Sequence, residues 1–452
     1  TPNPKPQTPN PKPQTPVYGS LLSTICIRSY LKEKVKLAML RLRDLLFFEI
    51  VTIFGLLWTK PSRSTQFHTF KLAFGSCANH HKIKKANPGS IFATIAAQKP
   101  DAFLWLGDFT YINLKKNLDD PKDPQTAQKV VNKFLVTENM PEYAQLRNSA
   151  KIYGTWDDHD SGFDNADTNN PYKDMIMNIY LDIVVKEPKD SIRRIPGRGI
   201  YTSYYLDQDK MIKLILLDMR YHRQPAINGE CSDNLGEQHE EWLRREVEES
   251  TAKFTIIASS VQVIPDDRPF IETVGKRTRE FILNLHNPRT RIFILSGDVH
   301  QAEILQEKCY KELSGYEMME FTSSGLTHSV YDKFKSNSYF LSYFQSLETY
   351  NTVADRYPLE NFGMITFNLN LNEEQSEEPS VAFVSLHDHN GNIVLSYAVQ
   401  ALSNNSNNGS VEALKKCLES RPKPIDRTFQ WFMKAGIDYL NGKATKWPWK
   451  NL

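Results

Sequence analysis

The sequence predicts an α/β domain, a sheet covered by helices, running from about residue 67 to residue 400. Two observations carry this. Short apolar runs at 70–74, 102–106, 152–155, 213–217, 254–258 and 291–295 read as buried strands. Between them lie helical periodicities at 90–98, with Ser90 as N-cap, and at 126–136, 172–184, 236–249 and 275–285. Strands alternating with helices of this length build a sheet with helices on its faces.

A more β-rich phase follows, with strands expected at 318–322, 363–369, 380–386 and 393–399. The last two are joined through Asn390-Gly391, a tight-turn pair, and read as a hairpin.

The flanks differ in kind. Residues 1–16 open on TPNPKPQ written twice, a Pro-rich repeat that cannot bury a core. The first residue is Thr, so a fragment or processed product is expected. Residues 17–66 pair a basic stretch with the apolar run 45–58. That order fits a secretory signal or membrane anchor, with membrane association through 45–58. Fourteen residues span only ~21 Å as a helix against a ~30 Å hydrocarbon core, so a helix packed on the domain is the competing reading. Residues 401–452 are expected as a linker and a helical extension. Two sequons, at Asn404 and Asn408, favour the secretory pathway and an extracellular or membrane-anchored protein.

Charge narrows the function. Of 55 Lys and Arg against 53 Asp and Glu, residues 1–66 hold ten and three, which leaves the rest with an excess of five acids. A mildly acidic body lacks the basic surface that displaces counterions from nucleic acid, so no nucleic-acid partner is expected. It suits a domain that holds cations. Five cysteines, scattered and without a CxxC pair, give no disulfide framework and leave the compartment open.

The chemistry sits where strands end. Gly75-Ser76-Cys77, Gly107-Asp108-Phe109-Thr110-Tyr111, Trp156-Asp157-Asp158-His159-Asp160, Asp218-Met219-Arg220-Tyr221-His222-Arg223 and Ser296-Gly297-Asp298-Val299-His300 each follow an apolar run. In parallel sheets functional groups cluster at these carboxyl ends. Each alone has a bland reading: an Asp after Gly as a turn former, Cys77 or Tyr111 as core, and Arg220 or Arg223 in a structural salt bridge. Five together point to metal, because carboxylates gathered at neutral pH repel unless cations compensate. Two cations ~3.5–4 Å apart can share a carboxylate and acidify a water for in-line attack on phosphorus. Thiol and phenol among the donors favour iron at one position; all-oxygen donors favour calcium, magnesium or another divalent ion at the other.

The segments FGSC (74–77), LGDFTY (106–111), TWDDHD (155–160), LLDMRYHR (216–223), SSVQ (259–262), LSGDVH (295–300) and FTSSGLTHS (321–329), in this order, resemble the signature of the PhoD-type alkaline phosphatases of the metallophosphatase superfamily. The helix at 235–250 resembles the one that follows the family's Arg-rich strand end. The resemblance implies an αββα sandwich of two mixed sheets flanked by helices. It implies Cys77, Asp108, Tyr111 and Asp298 on a ferric ion, with Asp108 bridging. It also implies Asp158 on a second, calcium-like ion, His159 near the phosphate, and His300 as a further site residue. Asp157 stays open as the alternative to Asp158. Arg220, with Arg223 second, is expected to hold the substrate phosphate. The nucleophile would be metal-bound hydroxide, acting on a phosphomonoester or phosphodiester. A phospholipase-like diesterase at a membrane surface and a non-catalytic binding module on the same fold are the alternatives. The run after His159 departs from the family pattern at Asp164 and Asn165, and nothing after residue 400 matches it.

Overall fold

The computed structural model describes residues 67–79, 90–115, 119–226, 233–266, 272–327, 329–331, 351–353, 356–371, 378–402 and 409–421. The Pro-rich repeat, the basic and apolar segment at 17–66, the linker asparagines 404, 405 and 408, His80, His81, His328 and the tryptophans at 431, 447 and 449 lie outside these residues.

Twelve strands among the described residues form two six-stranded mixed sheets. The first runs β12-β11-β10-β1-β2-β3, with β1 at Phe67–Gly75, β2 at Ala102–Leu106, β3 at Lys151–Thr155, β10 at Asn361–Asn370, β11 at Val381–Asp388 and β12 at Ile393–Gln400. The second runs β4-β5-β6-β7-β9-β8, with β4 at Thr202–Tyr205, β5 at Ile212–Leu216, β6 at Phe254–Ala258, β7 at Arg291–Ser296, β8 at Ala302–Glu307 and β9 at Met318–Ser323. The strands that carry the site are parallel neighbours: β1 with β2 and β2 with β3 in one sheet, β5 with β6, β6 with β7 and β7 with β9 in the other.

Why the strands read as unbroken apolar runs is now plain. The parallel strands at the centre of each sheet are covered on both faces, so both sets of their alternating side chains are apolar. In β2, Ala102, Leu104 and Leu106 face the core between the sheets, while Phe103 and Trp105 enter the outer core. In β7, Phe293 and Leu295 point between the sheets and Ile292 and Ile294 point outward.

Helices close both outer faces. The first core gathers residues of α1 (Ser90–Ala97), α2 (Pro124–Glu138), α3 (Pro141–Ser149) and α4 (Lys173–Ile183). The opposite core gathers residues of α5 (Glu237–Glu248), α6 (Lys276–Leu283), α7 (Lys311–Ser314) and α8 (Val411–Glu419). This is the expected αββα sandwich.

Two strands and two helices, one of them the four-residue α7, go beyond the sequence reading. β4 is a four-residue edge strand, β8 carries the buried acids Glu303 and Glu307, and α3 spans only nine residues. Glu303 and Glu307 are tolerated in a strand because Arg356, Arg279 and Arg421 pair with them. A second departure concerns cysteine. Cys309 and Cys417, 108 residues apart, form a disulfide that ties α8 to the second sheet's outer face, where Leu414 is fully buried. No local spacing announces such a pair. Among the described residues no helix is long and apolar enough to cross a membrane.

Candidate metal centre

The ends of β1, β2, β3 and β7 meet because two glycines let them approach. At Gly107, in the left-handed region at φ +90°, a Cβ would stand 2.4 Å from the Cβ of Asp157. At Gly297 it would stand 2.6 Å from the Leu106 carbonyl and from Ser76 Oγ. Any side chain at either place would push one strand end off another.

Cys77, Asp108, Asp298 and His300 also hold positive φ, between +53° and +68°, without being glycine. They are four of the nine such residues among those described. L-residues held there store backbone strain, which collects at functional sites. Nothing in these residue types marks such strain, since Cys, Asp and His adopt the left-handed region only where the surroundings impose it.

Two groups of ligand atoms result, each within 4.8 Å mutually: Cys77, Asp108 and His300, and Asp108, Asp158 and His159. Asp108 belongs to both. Its Oδ2 accepts the Tyr111 hydroxyl at 2.9 Å and lies 3.5 Å from Cys77 Sγ. The Tyr111 hydroxyl is 3.5 Å from His300 Nε2, and its ring lies 4.1 Å from that of His159. Cys77 Sγ also meets Ser324 Oγ at 3.1 Å, and the same Oγ accepts the His300 amide at 2.8 Å. Asp298 is in neither group; its carbonyl lies 3.9 Å from the thiol.

The donors fit cations. Asp108 Oδ1 and His159 Nδ1 are buried with no hydrogen-bond partner, a costly state that a bound ion would relieve. Burial, then the neighbouring acids Asp158, Asp157, Asp160 and Asp298, push Asp108 well above the usual carboxylate range. Burial and then Asp157, Glu272 and Asp158 do the same to Asp298. Burial and then Asp108 raise both the Cys77 thiol and the Tyr111 phenol. Such a cluster ionises only with positive charge nearby.

Asp158 and Asp157, left unordered by sequence, have different surroundings. Burial works against ionised Asp158, but His159, Arg220 and the amides of Asn165 and His159 outweigh it and hold it low. Its Oδ1 and Oδ2 accept the amides of His159 at 2.7 Å and Asn165 at 2.6 Å. Asp157 instead takes Arg220 on both oxygens, Nε at 2.5 Å and Nη2 at 3.0 Å, and Ser260 Oγ at 2.6 Å.

Arg220 is only 2% exposed, and its other edge meets Glu272, Nη1 at 2.8 Å and Nη2 at 3.2 Å. Arg223 Nη2 reaches the same Glu272 Oε1 at 3.0 Å. Both arginines, expected to hold the substrate phosphate, are in this structure paired with carboxylates. Glu272 has no sequence signal, and Ser260, just past the end of β6, is marked only as part of the SSVQ segment, with no role attached. Asp218 is an anchor: its oxygens accept Trp156 Nε1 and the amides of Arg220, Tyr221 and Ile200.

Two mixed sheets flanked by helices make a metallophosphatase-like αββα fold, with acid, imidazole and thiol groups gathered at neighbouring strand ends. Among solved structures the chain is similar to that described as "Structure of PhoD", at 15% identity, TM-score 0.50, over 85% of this chain and 79% of that one. A looser likeness is to purple acid phosphatase PPD1 from yellow lupin (Lupinus luteus) seeds, at 9% identity, TM-score 0.46, over 80% and 57%. What the chain shares with the first of these is the fold. No protein-family model and no curated protein sequence matches the chain.

Proposed function

We propose that this protein is a metal-dependent hydrolase of phosphate esters. One observation carries the reading: on a metallophosphatase fold, two groups of candidate ligands share a single buried aspartate, Asp108. A shared carboxylate between two ligand sets is what a dinuclear site requires.

Cys77, Asp108, Tyr111 and Asp298, with His300 close by, are proposed to hold one cation, ferric iron, because a thiol and a phenol among the donors suit a trivalent or softer metal better than calcium or magnesium. Asp108 and Asp158, beside His159, are proposed to hold a second, calcium or another divalent ion. Bound there, the two ions supply positive charge for the phosphoryl oxygens and lower the pKa of a water near neutrality. The chain's own groups do the rest. Despite its burial, Asp158 is kept ionised by the charges of His159 and Arg220 and then by its amide donors, His159 stands beside the Tyr111 ring to meet the phosphate, and Arg220 and Arg223 supply the nearby positive charge. Water is the nucleophile, with no covalent phosphoenzyme. A small phosphate ester is the proposed substrate, and the Cys309–Cys417 disulfide fits an oxidising, extracytoplasmic compartment.

The test is turnover of p-nitrophenyl phosphate and its bis ester, with and without chelator, alongside metal analysis of the purified chain. Chelator-sensitive hydrolysis of either ester supports the reading. Fully metallated protein that turns over neither would instead be a binding module.

A further inference from the structure

The arginines beside the candidate ligand cluster already hold an anion. Glu272 lies with Oε1 2.8 Å from Arg220 Nη1 and 3.0 Å from Arg223 Nη2, and Oε2 3.2 Å from Arg220 Nη2. Two oxygens spanning two guanidiniums is the contact pattern of a bound phosphate. We infer that Arg220 and Arg223 form an anion seat for the substrate phosphate, in which the Glu272 carboxylate is the resident, displaceable stand-in. This rests on the phosphate-ester reading above and names the group that gates it.

Three observations separate Glu272 from a permanent partner. The first is the other carboxylate on Arg220. Asp157 is 1% exposed and is further fixed by Ser260, whereas the Glu272 side chain is 17% exposed. Of the two, only Glu272 can turn toward solvent without burying a charge elsewhere. The second is unused capacity: Arg223 Nε is buried without a hydrogen-bond partner, and a phosphate offers more acceptor oxygens than a carboxylate. The third is position. Glu272 is among the charges that, after burial and Asp157, raise the Asp298 carboxyl, so the seat borders the proposed cation site. The backbone that follows it is pinned, Val274 donating to the Gln262 carbonyl at 3.0 Å, so a side-chain rotation suffices.

No bond is made or broken in this exchange. A phosphate enters as the carboxylate leaves, and the two arginines keep a counter-charge throughout. The carboxylate therefore competes with the ligand at every encounter and repels a dianionic monoester more than a monoanionic diester.

The metal-loaded full chain is titrated with inorganic phosphate by calorimetry, with Glu272→Gln and Glu272→Ala in parallel. Glu272→Gln keeps the shape and removes the charge. Both variants are expected to bind phosphate about ten-fold tighter than the parent, the scale of one charge-assisted pair. Phosphate should also raise their melting temperature by more than the parent's. Arg223→Gln placed on Glu272→Gln should return the affinity toward the parent value. Equal or weaker phosphate binding by Glu272→Gln overturns the inference, because the carboxylate then only positions the arginines. Failure of both variants to fold overturns it too, since a displaceable ion must be dispensable. If the parent binds phosphate but hydrolyses no ester, the catalytic reading falls while these titrations still score the seat.

Discussion

Arg220 and Asp157 form a buried pair in which Nε meets Oδ1 at 2.5 Å and Nη2 meets Oδ2 at 3.0 Å, each side chain 1% exposed. Removing one partner of such a pair strands the other's charge away from water. Arg220→Ala is therefore expected to lower unfolding stability by roughly 3–5 kcal/mol, with Asp157 and Glu272 left facing each other. Urea unfolding of parent and variant measures this. A loss under ~1 kcal/mol would show that water reaches the pair and that Arg220 is free to serve the substrate alone.

Asp108→Asn tests the shared carboxylate directly. The amide keeps the size and can still meet the Tyr111 hydroxyl, so the fold should survive. It removes the negative charge common to both ligand groups, so metal content and ester hydrolysis should fall together to background. Circular dichroism checks the fold and elemental analysis the metals. Hydrolysis near the parental rate would remove Asp108 from the proposed bridging role.

What sequence could and could not show follows from the physics of each feature. The strands of the site were legible because burial on both faces makes them apolar throughout, and their ends were legible because polar groups there interrupt that run. β8 was not, since Glu303 and Glu307 break the pattern and their arginines come from distant segments, Arg356, Arg279 and Arg421. The cluster's membership was readable from strand ends such as Asp108 and His300. Its internal division was not: neighbouring Asp157 and Asp158 have opposite duties set by Arg220 on one side and the Asn165 amide on the other. Glu272 was invisible for a similar reason. A loop glutamate acquires meaning only from the guanidiniums it faces.

Metal-free protein should lose stability as pH rises. Asp108 and Asp298 are raised, by burial first and neighbouring acids second, and Asp160 is pushed up to about 8, chiefly by burial. Unfolded carboxyls titrate near ~3.9, so above that the unfolded chain binds fewer protons than the native one, and the slope of stability with pH is negative. The contribution is fully present below about pH 4 and is lost as pH climbs through the folded values, toward about pH 8 for Asp160. Bound cations would relieve the same repulsion. The gap in melting temperature between metal-loaded and chelated protein should therefore widen from about pH 5 to about pH 8. A gap that stays constant across that range would mean the carboxylates carry their charge without cations.

The Cys309–Cys417 bond makes α8 part of the domain, together with buried Leu414 and with Arg421, which pairs with Glu307 and Asp266. Closing a loop over a separation of 108 residues restricts the unfolded chain strongly, by up to ~4–5 kcal/mol in the chain-entropy view, with typical measured values of about 2–4 kcal/mol. Cys417→Ser should cost about that typical amount in urea unfolding, and reductant should bring the parent down to the variant's midpoint. The disulfide lies on the second sheet's outer face, so metal content should be unchanged in the variant. Coincident unfolding curves for parent and variant under oxidising conditions would show that packing of Leu414 and the Arg421 ion pairs hold the helix without the covalent link.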